Sequence, residues 1–573
     1  MKIKIALAAL AVFCLGEASA LAAKPQKPAP LPPQAAAYVA IENTAPGALA
    51  SEAGYAEFFA GLGETAKVDV GSYRKDGAGV VARDVAFTAA GDNAVGLRVK
   101  ELRLYDGEKK RIDARGVTVF GMEAALNRAN QSIEKAVAEM AEGAAPAPQI
   151  KYEKLEVSIG KIVVDGFAFH APTPAELAAK TAKKESAEPN LGLELANLAR
   201  MNRMMSAEAY IARDLKWMFG FTDDAGANEM SFAADFTGAR GMDRGDLDEA
   251  VMANLTFAMK APSKEAGAPI DMTGGVKSYS ISGVKLAKLY DYWANGETPP
   301  AKETDLLSLG VWKAAGEYYD FSGERIYSAE EIVTDFSNFY RYLPVAITST
   351  SKNVVYDIGA LMRFGAKVTP TPPKEGEPTP QEIASLLDRH GLSKIVLSGV
   401  ADYRWNPKTG ATAFTSNNQL AELGALDFTL GANLPNAKRA LSLETQSSGE
   451  KGEEVWTNAI EDIKLVDFST TIRDRGLLNK LFALGAELAP AGGGQGAAKP
   501  NELRSTAAMM VRLNGGSPAI TAIATAFADF ISEGGSITLR AKPKKPLAIT
   551  DMALSAGADP VDFFGITAEH TPD

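Results

Sequence analysis

Along much of this chain apolar and polar residues alternate with period two, the spacing that puts every other side chain on one face of an extended strand. Leu426, Phe428, Leu430, Ala432 and Leu434 alternate with Asp427, Thr429, Gly431 and Asn433, and Val251, Ala253, Leu255, Phe257 and Met259 alternate around Asn254 and Thr256. A third run, Val95, Leu97 and Val99, changes phase at Lys100 and Glu101 before Leu102 and Leu104, which predicts a bulge. Tyr152, Leu155, Val157 and Ile159 open a fourth. Strands with one polar face belong to antiparallel sheets rather than to doubly wound parallel ones.

Four segments carry an aromatic strand end followed by Asp or Asn and Gly: Tyr73 to Gly77, Phe221 to Gly226, Tyr319 to Gly323 and Tyr403 to Gly410. These residues tolerate the left-handed backbone of tight turns, so each segment predicts a hairpin. Their irregular spacing excludes a strict solenoid. Four apolar stripes at helical spacing punctuate the strands. The first is Leu126, Ala129, Ile133, Val137 and Met140, and the second is Leu191, Leu195, Leu198, Met201 and Met205. The third is Leu477, Leu478, Leu481, Phe482 and Leu488, and the fourth is Ile520, Ile523, Phe527 and Ile531. The expected fold is α+β and β-dominated, with curved antiparallel sheets of hairpin units covered by amphipathic helices.

The ends and the linkers divide this pattern. Residues 1–22 combine Lys2 and Lys4, an apolar run from Ile5 to Gly16 and small residues at Ala18-Ser19-Ala20 and Ala20-Leu21-Ala22, which predicts a cleavable signal peptide and a periplasmic destination. Residues 23–37 are a Pro/Ala-rich tether. Polar stretches rich in Pro, Gly or Ala at 142–149, 180–190, 369–381 and 489–500 read as linkers or long loops. Three β-rich domains are expected: 38–180 with a helix near 123–141, 191–366 beginning with a helix, and 382–573 ending in helices. The single cysteine, Cys14, falls within the signal, so the processed chain would hold itself together by burial alone. No later stretch is long and apolar enough for a transmembrane helix. A net charge of -11 argues against a nucleic-acid partner.

No catalytic, cofactor-binding or metal residue is assigned. His170, His390 and His570 are isolated, and His390, before Gly391, reads as a helix-end histidine. No nucleophile elbow, P-loop or dinucleotide fingerprint is present. Glu330 and Glu331 lie near Tyr318, Tyr319, Phe336 and Tyr340, but adjacent glutamates on a strand face opposite ways. The run Asp243, Asp246, Asp248 and Glu249 lacks EF-hand order and reads as a charged turn. Trp217, Trp293, Trp312, Trp405 and Trp456, with Phe336, Phe339, Tyr340 and Tyr342, could stack on sugars or fill a β core. Met201, Met204, Met205 and Met218 fit a core face better than an adaptable groove.

The segments LSKIVLSGVADYRW (392–405) and LAELGALDFTLGANL (420–434) resemble the amphipathic β-repeats of AsmA-like bacterial envelope proteins. That resemblance implies sheets curled into an apolar groove that handles lipid, although the retained membrane anchor of that family has no counterpart here. The leading expectation is a non-catalytic periplasmic protein that binds a lipid, another hydrophobic ligand or an envelope partner. A carbohydrate-active hydrolase with carboxylates on distant strands is one alternative, and a purely structural envelope protein is another.

Overall fold

The computed structural model describes residues 31–44, 46–61, 66–89, 95–107, 110–124, 126–127, 151–170, 199–200, 202–223, 226–262, 270–368, 378–447, 460, 462–488, 499–513, 516–548 and 559–573. The expected signal peptide, most of the first two helical stripes and Trp456 lie outside them. The fold is β-dominated and antiparallel with several helices, as the alternation predicts. The chain divides into two compact units, residues 1–300 with 306–323, and residues 301–305 with 324–573.

The first unit contains β1 (Ala48–Leu49), β2 (Ala66–Asp76), β3 (Gly79–Ala89), β4 (Gly96–Asp106), β5 (Arg111–Phe120) and β6 (Lys151–Asp165). It continues with β7 (Ala168–Phe169), β8 (Met205–Asp223), β9 (Gly226–Asp243), β10 (Leu247–Ala261), β11 (Ile270–Lys285) and β12 (Ser308–Phe321). β2 to β6 pair in chain order, β6 pairs with β8, and β8 to β12 again pair in order. The segment 180–190, read as a domain boundary, therefore separates two strands of one sheet. Met205, placed on a helical stripe by its spacing, instead opens β8, where pairing with Phe169 of β7 holds it extended.

The bulge expected at Lys100 is one position in a line of irregularities that crosses the sheet. Flanking pairs place Asp84, Lys100, Gly116, Gly160, Asp214, Asp235, Asn254, Lys277 and Gly316 opposite one another from β3 to β12. On alternate strands the residue in this line has positive φ: Asp84, Gly116, Asp214, Asn254 and Gly316, between 52° and 66°. The register stays one-to-one across this line, but the alternation is interrupted there and the inward positions step by three instead of two. Val85 and Ala82, Val99 and Leu102, Val117 and Ala114, Ile159 and Ile162, and Leu215 and Ala212 consequently all join one buried cluster. Asp, Asn and Gly occupy the positive-φ positions because other side chains clash with their own carbonyl there.

Helices close both faces of this sheet. On one face α1 (Ala36–Asn43) buries Tyr38 completely against Val163, Ile211, Phe236, Val251 and Ala253. Its exposed C-terminal carbonyls need donors, and the Arg111 guanidinium supplies them to Ile41, Glu42 and Thr44 while its Nε donates to Asp113 at 2.7 Å. The Glu42 carboxylate accepts from Lys161 at 2.8 Å and from Arg213 at 2.7 Å. On the other face α2 (Glu52–Gly61) buries Tyr55, whose hydroxyl donates to the Leu102 carbonyl and accepts from the Leu104 N–H. A third helix, α3 (Ala287–Asn295), follows β11.

The second unit contains β13 (Glu324–Tyr340), β14 (Leu343–Asp357), β15 (Lys394–Trp405), β16 (Ala411–Leu420) and β17 (Gly424–Asn433). β18 (Lys464–Asp474), β19 (Ser536–Ala541), β20 (Leu547–Ala548) and β21 (Ile566–Thr571) complete it. β13 to β19 pair in order, β21 adds to β19 and β20 to β18. β14 and β15 pair directly across the segment 369–381, so that expected boundary also interrupts one sheet. Its helices are α4 (Ile358–Val368), α5 (Pro380–Arg389), α6 (Ala437–Ser447), α7 (Leu477–Leu488), α8 (Pro500–Leu513), α9 (Pro518–Glu533) and α10 (Pro560–Phe564). The stripes at 477–488 and 520–531 correspond to α7 and α9. Thr379 and Glu382 form a reciprocal capping box that starts α5. Among the described residues no helix is long and apolar enough to cross a membrane.

Candidate functional site

Strand register sorts the second unit's side chains into an apolar and a polar face. Ile347, Tyr403, Phe414, Leu430 and Phe468 lie side by side from β14 to β18. Leu397 and Leu420 share the same face, as do Leu426, Ile472 and Ile537. One residue along each strand, the opposite face reads Thr348, Asp402, Thr415, Thr429, Ser469 and Arg540. At the β14 end of the polar row the Thr348 hydroxyl donates to Asp402, which also receives a two-point fork from Arg404 with both contacts at 2.7 Å. The Arg404 hydrogen bonds hold the Asp402 carboxyl below its ordinary range.

The apolar face is only partly covered. At its β19 end Ile537 is buried, where α9 packs on β19 and β21. In the middle Leu426 is 39% and Ile472 37% exposed, and toward β14 Tyr356 is 46% exposed. An edge-to-face ladder of Phe414, Phe428 and Phe468, with ring centroids 5.7 and 5.2 Å apart, runs across β16 to β18. Burial pushes the Tyr403 phenol up, in keeping with an apolar setting.

Past Tyr403 the face ends at a cavity of about 680 Å³ lined by Tyr340, Arg404, Trp405, Lys408, Thr412 and neighbouring turn residues. Trp405 is 4% exposed, and its ring meets that of Tyr340 edge to face at 6.2 Å. The turn beside it is rigidly built: the Asn406 side-chain oxygen accepts from the Lys408 and Thr409 N–H groups, and the Asn406 carbonyl accepts from Gly410. None of the lining side chains is a carboxylate.

The other residues singled out from sequence occupy different settings. His170 Nε2 lies 2.9 Å from the Ser206 hydroxyl, and His570 Nε2 lies 2.9 Å from the Gly534 carbonyl oxygen. His390 caps the C-terminal end of α5 and contacts Glu487, which also accepts from Arg389. Glu330 receives hydrogen bonds from Lys352 and Asn353, and these hold its carboxyl below the usual range at a solvent-exposed position. In the acidic run, Asp246 accepts from the N–H groups of Leu286 and Ala287 and so anchors the start of α3. No group of side chains able to hold a metal ion occurs among the described residues. Trp217 and Met218 lie on β8, Trp217 in the first unit's core, Trp293 packs on Tyr290, and Trp312 donates to the Leu309 carbonyl. Among the described residues, Trp405 and Tyr340 are the singled-out aromatics that line the cavity.

Fold and cavity together define a β-dominated protein whose second unit carries a partly open apolar sheet face. Residues 418–571, from within β16 to the last strand, match a protein family described as "Uncharacterized protein". No curated protein and no solved structure matches the chain.

Proposed function

We propose that the second unit binds a lipid or similarly hydrophobic ligand along its apolar sheet face, without catalysis, in the periplasm to which the N-terminal sequence pattern points. The observation that carries this reading is the partial exposure of Leu426, Ile472 and Tyr356 on a face whose other strand end carries Trp405 and the cavity. Covering roughly 200 Å² of such surface would contribute about 5 kcal/mol, which offsets only the low end of the cost of association, so the reading calls for a ligand with a long chain that covers more of the face. The two segments that resemble AsmA-like repeats include β15 and β17, which contribute Leu397, Tyr403, Leu426, Phe428 and Leu430 to this face. Hydrolysis finds less support, because the cavity lining carries no carboxylate to serve as an acid or nucleophile.

The test is mass spectrometry of organic extracts from the gently purified full-length chain, paired with uptake of a fluorescent long-chain acyl probe. Lipid at near-stoichiometric recovery is expected, lost in Phe428→Glu with unchanged far-ultraviolet circular dichroism. Neither lipid recovery nor probe uptake by the unmodified chain would overturn the proposal.

A further inference from the structure

The free polar groups at the cavity select a headgroup. Resting on the reading of the apolar face as a lipid site, we infer that its ligand is an anionic amphiphile with its oxyanion in the cavity beside Trp405 and Lys408 and its chain on the apolar rows. Trp405 is almost wholly buried, and its indole N–H meets no acceptor among the described residues. A buried indole N–H normally has a partner, so this one is a donor waiting for an acceptor. Trp217 also has an unpaired indole N–H, but it sits within the continuous core of the first unit. At Trp405 the unpaired donor coincides with a cavity and a cation.

The cation is Lys408. Its ammonium enters no ion pair among the described residues, and the Asn406 hydrogen bonds fix the turn that carries it at the cavity edge. Arg404, the other cation of the lining, is already neutralised through its fork to Asp402. Beside the neutral Tyr340 hydroxyl and Asn406 amide, the lining thus offers an indole N–H donor and an ammonium, in a chain whose net charge is -11. This local reversal of sign suits a carboxylate or phosphate oxygen and disfavours a quaternary ammonium. The apolar rows begin at the same strand end, since Trp405 and Tyr403 share a face of β15, so headgroup and chain can be satisfied together.

Isothermal titration of the full-length chain, below micellar concentrations, with dodecyl phosphate, dodecanoate, monolauroylglycerol and dodecyltrimethylammonium tests the inference. The two anions should bind about tenfold more tightly than the neutral amphiphile, and the cation more weakly still. Lys408→Gln, on an exposed turn, and Trp405→Phe, which keeps an aromatic ring and deletes the donor, should each reduce the anion-to-neutral affinity ratio several-fold. Equal binding of anionic and neutral amphiphiles, or variants that leave the preference intact, would overturn the headgroup assignment while the apolar face stands. Inorganic phosphate binding as tightly as dodecyl phosphate would overturn the lipid source. Failure of every amphiphile to bind would remove both readings.

Discussion

The two units apply one alternating pattern to different ends. In the first, Phe236, Ile211 and Val163 are fully buried under Tyr38 of α1, and the opposite face forms a continuous cluster from Val80 to Phe257. In the second, Ile537 alone among the described residues belongs to the largest fully buried side chains, and residues of equal hydrophobicity in the middle of the sheet stand more than a third exposed. Much of the difference lies in what the helices meet. α1 and α2 are short and dock their tyrosines on strands, whereas α7, α8 and α9 pack on one another and α9 meets the strands at β19 and β21. An apolar strand face therefore specifies that something must cover it, and the rest of the chain decides whether that is protein.

The sharpest way to break this contrast is to truncate one phenylalanine in each unit. Phe236→Ala should cost about 4 kcal/mol in urea denaturation, since it empties a closed site. Phe428→Ala should cost about 1 kcal/mol, because its surroundings already admit solvent. Equal losses would mean that the second face is as closed as the first.

Glu42→Gln should cost about 2 kcal/mol by weakening the charged hydrogen bonds from Lys161 and Arg213 that hold α1. Burial acts to raise the Glu42 carboxyl, but the Lys161 and Arg213 hydrogen bonds outweigh it and hold its pKa below the usual value. A lowered folded-state pKa gives stability that is present above the unfolded carboxylate range and disappears as pH falls through the folded value. The stability gap between the native chain and Glu42→Gln should therefore shrink below about pH 4. A gap that does not change with pH would detach Glu42 from the docking of α1.

Asn254→Val, a β-branched residue at positive φ, should cost about 2 kcal/mol or more, and Asn254→Gly, which keeps the backbone but loses the hydrogen bond to Asp235, about 1 kcal/mol. The smallest effect on folding is expected from Leu426→Gln, less than about 0.5 kcal/mol, together with a measurable drop in acyl-probe uptake. A large loss of stability there would show that Leu426 supports the fold.

Which parts were legible in the sequence follows from the range of the forces involved. β4, β6, β10 and β17, the hairpin turns at Asp76-Gly77 and Asn406 to Gly410, and helices α7 and α9 are local patterns and read directly. The phase change at Lys100 was visible, but its extension through Asp84, Asp214 and Asn254 was not, because alignment across strands exists only once they pair. The two-unit division was hidden for the same reason: polar linkers look like boundaries until β6 meets β8 and β14 meets β15. At the candidate site, Trp405 and its turn stood out as aromatic and turn chemistry. Tyr340 reaches the cavity from β13 through the intervening β14, and Lys408 resembles any exposed lysine until its neighbours are known.

The line from Asp84 to Gly316 also works as an index mark. A strand that slipped by one residue would set its irregular position against a regular neighbour, lose the match on both sides and turn apolar side chains outward. Each strand joining the sheet is thus checked against the one before it at a fixed point, and long strands of similar composition are kept from exchanging registers as the first unit assembles.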